Sequence, residues 1–405
     1  MLVVPTTYQA ERGVLLGALL AASIVYLLRF NRWRLHKEVA LLGGLCITAS
    51  LFFMLNGAYH SAPGALRVGS VYVVWPLLFL FFIGLLNRPD QLSPFLKVLV
   101  IAEVCAAIMG VMFVAEALDY LNFGISTLLE GSKASIGISD ESIGYSLPNL
   151  STVIYALPFL LGYLMLPRER THLNGAWRLF VWFGLLLAVI VLLIAGRRAF
   201  WVIAAASPFV VFILAEQCKI HFDIKKLIVL ATVILVGAVA TIAIFDINIE
   251  VIWDDLVSGF EFSGAHDLST HLRKEQYFSL LDGWMENPVL GAGLGSSASV
   301  IRNEELPWAY ELTYLAILFQ TGVLGIFVYG GAVVWIFARG IDVIRKQPES
   351  SGMLIPLLSG LVCFLIANAT NPYLQKFDYL WTLFLPVAVL NAYLLNNNKL
   401  EFKLQ

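Results

Sequence analysis

The chain has 405 residues, 59% hydrophobic and 13% charged, with 28 acidic against 26 basic side chains. Soluble domains carry about 25% charged residues. A mean hydropathy of +0.81 and apolar runs of bilayer-crossing length, roughly 17–25 residues, recurring from end to end therefore exclude a soluble fold. They also exclude a transmembrane β-barrel, whose mark is weak alternation over ~10-residue segments.

Taken in order, the apolar runs predict spans at 13–30, 38–56, 69–87, 95–117, 152–166, 177–195, 199–215, 226–245, 322–339, 353–369 and 378–396. The stretch 310–321 reads as a short helix ahead of the ninth span or as its first turns. The expected fold class is an all-α polytopic membrane protein with about 11–12 transmembrane helices. Residues 1–405 are expected to form one membrane domain, with N-terminal helices over 1–245, a large outer loop over 246–310 and C-terminal helices over 311–405. Residues 1–10 lack the basic start of a cleavable signal peptide.

Lys and Arg distribute unevenly between the two sets of loops, seventeen on one side against nine on the other. The richer set, including Arg29, Arg32, Arg34 and Lys37 and later Arg339, Arg345 and Lys346, is assigned to the cytoplasm. The N-terminus then lies outside and the C-terminus inside. Two outer loops are long: 119–151, rich in Gly, Ser and acids, reads as a mobile loop or lid, and 246–310 carries eleven acids against three bases. The net charge of −2 says nothing of partners, and no nucleic-acid partner is expected. Cys46, Cys105, Cys218 and Cys363 are isolated, form no metal-ligand spacing and read as packing residues.

Four charged residues stand out. Arg197 and Arg198 occupy a very short outer joint, Ile194-Ala195-Gly196-Arg197-Arg198-Ala199-Phe200-Trp201, where each would cost about 2.5–3.5 kcal/mol if drawn to mid-membrane. At a helix end they can snorkel to lipid phosphates, or offer a guanidinium fork for bidentate capture of a phosphate or diphosphate. Arg273 is expected on a helix capped by Ser269 or Thr270 and ending near Glu286, on one face with Tyr277, Leu280 and Trp284. An arginine on an apolar face either pairs with a nearby acid or meets an anionic ligand. Glu311 opens a segment in which Leu315, Leu318, Gly322 and Gly325 are expected on the same helical face. There it is a helix-terminal acid favoured by the macrodipole or a general base.

Between them, Gly291-Ala292-Gly293-Leu294-Gly295 is not a nucleotide loop, because its spacing is not GxGxxG and no strand precedes it. It reads as a tight turn that lets the backbone approach another segment. His60, His266 and His271 read as solvated outer histidines, and Glu103 as an acid inside an apolar span with no visible partner. No HExxH, GxSxG, P-loop or Cys/His cluster is present.

Together these motifs resemble the O-antigen ligase and polymerase superfamily (Wzy-type polymerases and O-antigen ligases). Gly196-Arg197-Arg198-Ala199-Phe200-Trp201 resembles that family's Ser/Thr-Arg-Gly-Ala-Trp joint. Arg273, Trp284 and Asn287-Pro288-Val289-Leu290-Gly291-Ala292-Gly293-Leu294-Gly295 resemble its Arg…Trp…Asn-Pro-Leu-x-Gly-x-Gly-x-Gly block, and Leu315 with Gly322-Val323-Leu324-Gly325 its final helix. The resemblance covers about 195–325. It implies a GT-C-type glycosyltransferase at the periplasmic face of a bacterial cytoplasmic membrane, acting on an undecaprenyl-diphosphate-linked glycan and needing neither metal nor cofactor. It also implies diphosphate binding by Arg197, Arg198 and Arg273, with membrane lipids and a chain-length regulator as partners. The family's ligases place a His where this chain has Glu311, which favours a polymerase of lipid-linked repeat units over transfer of finished polymer to lipid A–core. A lipid-sugar flippase is the reading from another class, but no pair of interrupted helices in matching halves supports it.

Overall fold

A computed structural model of the chain describes residues 9–30, 32–122, 124–128, 135–138, 143–146, 150–171, 175–195, 198–220, 268–301 and 303–403, with scattered residues between 228 and 243. The principal helices are α1 (Gln9–Phe30), α2 (Lys37–Tyr59), α3 (Ala65–Leu85), α4 (Pro89–Ala117), α5 (Leu150–Met165), α6 (Gly175–Ile194), α7 (Arg198–Gln217), α8 (Leu268–Glu286), α9 (Thr313–Lys346), α10 (Ser351–Asn368) and α11 (Trp381–Lys403). Among the described residues, eight helices are long and apolar enough to cross a membrane, and α5 and α11 add shorter apolar segments. This is a multi-pass, helical membrane protein. Ten of the expected spans coincide with an apolar helix; for 226–245, the described residues between 228 and 243 are all helical. The physical reason is general: in hydrocarbon a helix satisfies its own backbone groups, so an apolar run of sufficient length adopts one.

The chain divides into two compact units, each assembled from three separate segments. The first comprises Met1–Phe30, Pro89–Phe262 and Ile341–Ala367. At its centre lies α5, every residue of which is buried, against α4, α6 and α7. Tyr155 on α5 donates its hydroxyl to the Leu357 carbonyl of α10 at 2.9 Å, so this fully buried phenol is satisfied. Glu103 of α4 is also buried, and neither of its carboxylate oxygens has a hydrogen-bond partner among the described residues.

The second unit comprises Asn31–Arg88, Ser263–Gly340 and Asn368–Gln405. Here α2 packs along α3, and α3 along α11. Trp75 stacks on Phe377 and Phe79 on Phe384, with centroid separations of 4.4 and 4.7 Å. Such pairs add about 0.5–1.5 kcal/mol each beyond the burial of their area. The buried Asn391 amide ties three segments together. It accepts from the His36 backbone N–H at 2.7 Å and donates to the carbonyls of Arg34 and Ile83. Glu38 holds Arg339 in an ion pair and also accepts from the Trp335 indole.

Three expectations change. The stretch 119–151 is not all loop: Ser135–Ile138 (β1) and Ile143–Ser146 (β2) pair antiparallel, with Ile136 opposite Tyr145. Before the hairpin, a short turn at Ile125–Leu128 is pinned by the Glu116 carboxylate, which accepts from the Ile125 N–H at 2.7 Å. Next, of the two alternatives for 310–321 the structure takes the short helix ahead of the ninth span: α9 starts at Thr313 and is interrupted at Gly322, whose φ of 62° and ψ of −169° are not helical. The supposed single face carrying Glu311, Leu315, Leu318, Gly322 and Gly325 is therefore not continuous. Finally, Tyr277 does not share the buried face of α8, since it is 46% exposed.

Candidate functional site

The site of interest lies within the second unit and is organised by the break in α9. In an unbroken helix the Val323 and Leu324 N–H groups would donate to the carbonyls of Phe319 and Gln320. At Gly322 both bonds are opened, and the glycine-rich turn after α8 takes all four groups. Val323 N–H donates to the Pro288 carbonyl at 2.9 Å and Leu324 N–H to that of Val289 at 3.1 Å. In return, the Phe319 and Gln320 carbonyls accept from Ala292 N–H and Gly293 N–H, both at 2.9 Å. The turn is thus spliced into the interrupted ladder, and these four backbone groups of the break are all paired.

The glycines make this approach possible. Gly291, Gly293 and Gly295 all have positive φ, of 68°, 93° and 80°. Each faces a different stretch of backbone: a Cβ would fall within 2.5 Å of main-chain atoms of Gln320–Gly322, Gly57 and Gly64–Ala65 respectively. Leu294 N–H then donates to the Phe53 carbonyl of α2 at 3.0 Å, and Gly64 N–H to the Gly295 carbonyl at 3.1 Å. The sequence expectation of a close-approach turn is met three times over.

Arg273 sits one residue into the second turn of α8, and Glu311 stands just ahead of α9 with its carbonyl accepting from Thr313 N–H. Arg273 Nε donates to Glu311 Oε2 at 2.7 Å. Their side chains are 39% and 18% exposed, so the pair is reached by solvent on the arginine side. Below it lie Leu280, Tyr310, Ala316 and Phe319, with Trp284 packed alongside. The Trp284 indole donates to the Pro288 carbonyl, which closes α8 onto the turn. Tyr310, fully buried, accepts from Ala298 N–H at 2.6 Å; burial pushes its phenol above the ordinary tyrosine range, and this hydrogen bond partly opposes the rise.

Other residues that no sequence signal singled out join the site. Gln276, one turn after Arg273, is wholly buried, and neither atom of its amide has a partner among the described residues. Gln320 reaches from the break to the carbonyls of Ser296 and Trp308. Arg67 places its guanidinium 5.8 Å from the centre of the Trp308 ring, three residues before Glu311. Below the break, a largely apolar cavity of about 150 Å³ is bounded by Leu294, Gln320, Thr321, Tyr72, Tyr329 and Phe384.

The arginine joint contributes less. Arg197 lies outside the described residues, and Arg198 opens α7 in the first unit without a described side chain. Arg273 and Glu311 are thus the two expected site residues that the structure brings together. Ser269 and Thr270, expected as caps, fall inside α8, which begins at Leu268. Among the described residues no three His, Cys, Asp or Glu side chains converge. No protein-family model matches the chain, and no curated protein matches it either.

Proposed function

We propose that the protein is a GT-C-type membrane glycosyltransferase that polymerises undecaprenyl-diphosphate-linked repeat units at the periplasmic face of a bacterial cytoplasmic membrane. The observation that carries the reading is the Arg273–Glu311 pair, a guanidinium and a carboxylate held at 2.7 Å beside a broken helix, with an apolar cavity below the break. A lipid-linked diphosphate needs both a cation and an apolar channel, and both occur in this one unit.

In this reading the donor diphosphate takes the place of Glu311 on Arg273, because a doubly charged phosphate competes well for a guanidinium fork. The carboxylate, released from Arg273, then accepts the proton of the acceptor hydroxyl. The hydroxyl oxygen bonds to the anomeric carbon as the bond from that carbon to the phosphate oxygen breaks. The electron pair leaves with the diphosphate, whose growing charge Arg273 offsets. The unpaired amide of Gln276 supplies a neutral donor and acceptor beside it. A chain-length regulator is the proposed protein partner.

The test is reconstitution with a lipid-diphosphate-linked repeat unit as the only substrate, followed by glycan length on the carrier. Elongation is expected, with Arg273→Ala and Glu311→Gln each lowering it at least 100-fold while the protein remains folded in the membrane. Near-normal elongation by both variants would refute the role of the pair. Transfer only after lipid A–core is added would redirect the reading to a ligase.

A further inference from the structure

The cavity of about 150 Å³ below the break runs from Leu294 and Gln320 down to Val39 on α2 and Ile336 on α9. Two polar groups at its upper end are already engaged. The Thr321 hydroxyl donates to the Ile317 carbonyl at 2.7 Å, and the Gln320 amide donates to the carbonyls of Ser296 and Trp308. Deeper down, three more hydroxyl-bearing side chains line the cavity, one from each of three helices: Ser50 of α2, Tyr72 of α3 and Tyr329 of α9.

The protons of these three can be counted. Ser50 donates to the Cys46 carbonyl, one turn back on its own helix, at 2.7 Å. A serine hydroxyl has a single proton, so the 2.8 Å contact between Ser50 Oγ and Tyr329 Oη is made by the tyrosine's proton. Tyr329 Oη has then donated and keeps the capacity to accept. Tyr72 is the converse case. Its hydroxyl oxygen is sealed from solvent and has no hydrogen-bond partner among the described residues. The two phenol rings lie 5.8 Å apart, yet their hydroxyls do not bond to each other.

Buried polar groups are nearly always paired, and here an orphan donor stands beside an unused acceptor. One added hydroxyl satisfies both, accepting from Tyr72 and donating to Tyr329. The rest of such a molecule has to be apolar, as the remaining walls are. No charged side chain lines the cavity, so an acid or an amine would lose its water without gaining a counter-ion. A dry apolar cavity of about 150 Å³ admits a molecule the size of benzene, which sets the scale.

We infer that this cavity is a binding site for a membrane-soluble alcohol, an apolar ring or short chain whose one hydroxyl sits between Tyr72 and Tyr329. The assignment is independent of the transferase reading, since the ligand carries neither phosphate nor sugar. Full-length protein in lipid nanodiscs would be titrated with 4-fluorobenzyl alcohol and with 4-fluorotoluene, which share a ring and differ in the hydroxyl. Fluorine NMR reports the bound fraction, and empty nanodiscs correct for partition into lipid.

The alcohol is expected to saturate one site. Tyr72→Phe removes only the orphan hydroxyl, so it should weaken the alcohol about tenfold and shift 4-fluorotoluene by less than about twofold. Ala332→Phe, which fills the cavity from α9, should abolish alcohol binding. Absence of saturable alcohol binding would overturn the proposal, and so would alcohol binding that survives a folded Ala332→Phe. Equal responses of the two compounds to Tyr72→Phe would also overturn it, leaving a water molecule between the phenols; this conservative variant decides the matter even if Ala332→Phe fails to insert. Alcohol binding that follows the expected pattern in a protein unable to elongate lipid-linked glycan would uphold this site while refuting the transferase.

Discussion

The splice between the glycine turn and α9 makes a sharp stability prediction at Gly293. Its φ of 93° costs about 1–2 kcal/mol for any residue with a Cβ. The added methyl would also fall 2.2 Å from Gly57 N and 2.3 Å from Gly57 Cα, both main-chain atoms of a packed helix. The turn has to move, which breaks the bonds from Gly293 and Leu294 N–H to the carbonyls of Gln320 and Phe53. Each buried group left unpaired costs about 1–3 kcal/mol. Gly293→Ala should therefore lose at least about 3 kcal/mol, a large share of a total near 5–15 kcal/mol. Gly330→Ala is the control, because a Cβ there meets nothing within 4 Å and the site is helical. It should be neutral or gain up to about 1 kcal/mol. Tryptophan-fluorescence melting in detergent separates the two, with a fall of at least ~6 °C expected for Gly293→Ala at about 2 °C per kcal/mol. A Gly293→Ala protein melting within 2 °C or so of wild type would refute the close backbone contact.

Three further outcomes follow from other parts of the second unit. In a double-mutant cycle, Arg273→Gln and Glu311→Gln should couple by no more than about 1 kcal/mol in melting, because Arg273 is well exposed. A larger coupling would mark the pair as a structural bridge rather than an exchangeable one. Arg67→Ala, by removing the cation over Trp308, should raise the apparent KM for the lipid-linked donor several-fold with kcat unchanged; an unaltered KM would limit Arg67 to stacking. Burial, with help from Lys37 and Arg339 and against Glu38, holds His36 below the ordinary histidine value of 6.5. The unfolded chain thus binds the proton first, so His36 contributes stability above about pH 6.5 that is lost as pH falls. Between pH 7 and 5 the melting temperature of wild type should drop more than that of His36→Gln, and parallel curves would exclude the effect.

The helices were legible because each is an uninterrupted apolar run, and hydrocarbon leaves such a run few alternatives. The glycine turn was legible as a close approach, because three glycines at alternate positions have no other simple use. What it approaches was not, since its partners lie at Phe53–Gly57, Gly64 and Gln320, far off in the chain. The break at Gly322 was hidden for a related reason: small residues three apart look the same whether a helix packs closely or stops. Arg273 and Glu311 were each visible, but their pairing spans 38 residues and is set by the turn between them. Gln276 was invisible, because a buried amide with no partner has no sequence signature. The pairing of Ser135–Ile138 with Ile143–Ser146 was missed because the Gly, Ser and acidic content of this stretch outweighed the alternation of Ile136, Ile138, Ile143 and Tyr145.

The break also explains why the two charged residues meet where they do. From Val323 to Lys346 α9 is about 36 Å long at 1.5 Å per residue, enough by itself to cross a hydrocarbon core of about 30 Å. The short helical segment before Gly322, about two and a half turns from Thr313, is therefore able to bend and carry Glu311 over α8. What holds it bent is the exchange of four backbone hydrogen bonds with the glycine turn, and α8 with Arg273 ends where that turn begins. Gly322→Ala attacks this joint directly: a Cβ would lie 2.3 Å from the Val289 carbonyl oxygen, and alanine favours the continuous helix that closes its own ladder. The variant should still insert, with α9 straightened and the turn expelled. Spin labels on cysteines introduced at Lys274 and Leu312 would then move apart by several ångströms, and elongation would fall although Gly322 touches no charged group. An unchanged label distance would mean that the pair is held by contacts other than the spliced ladder.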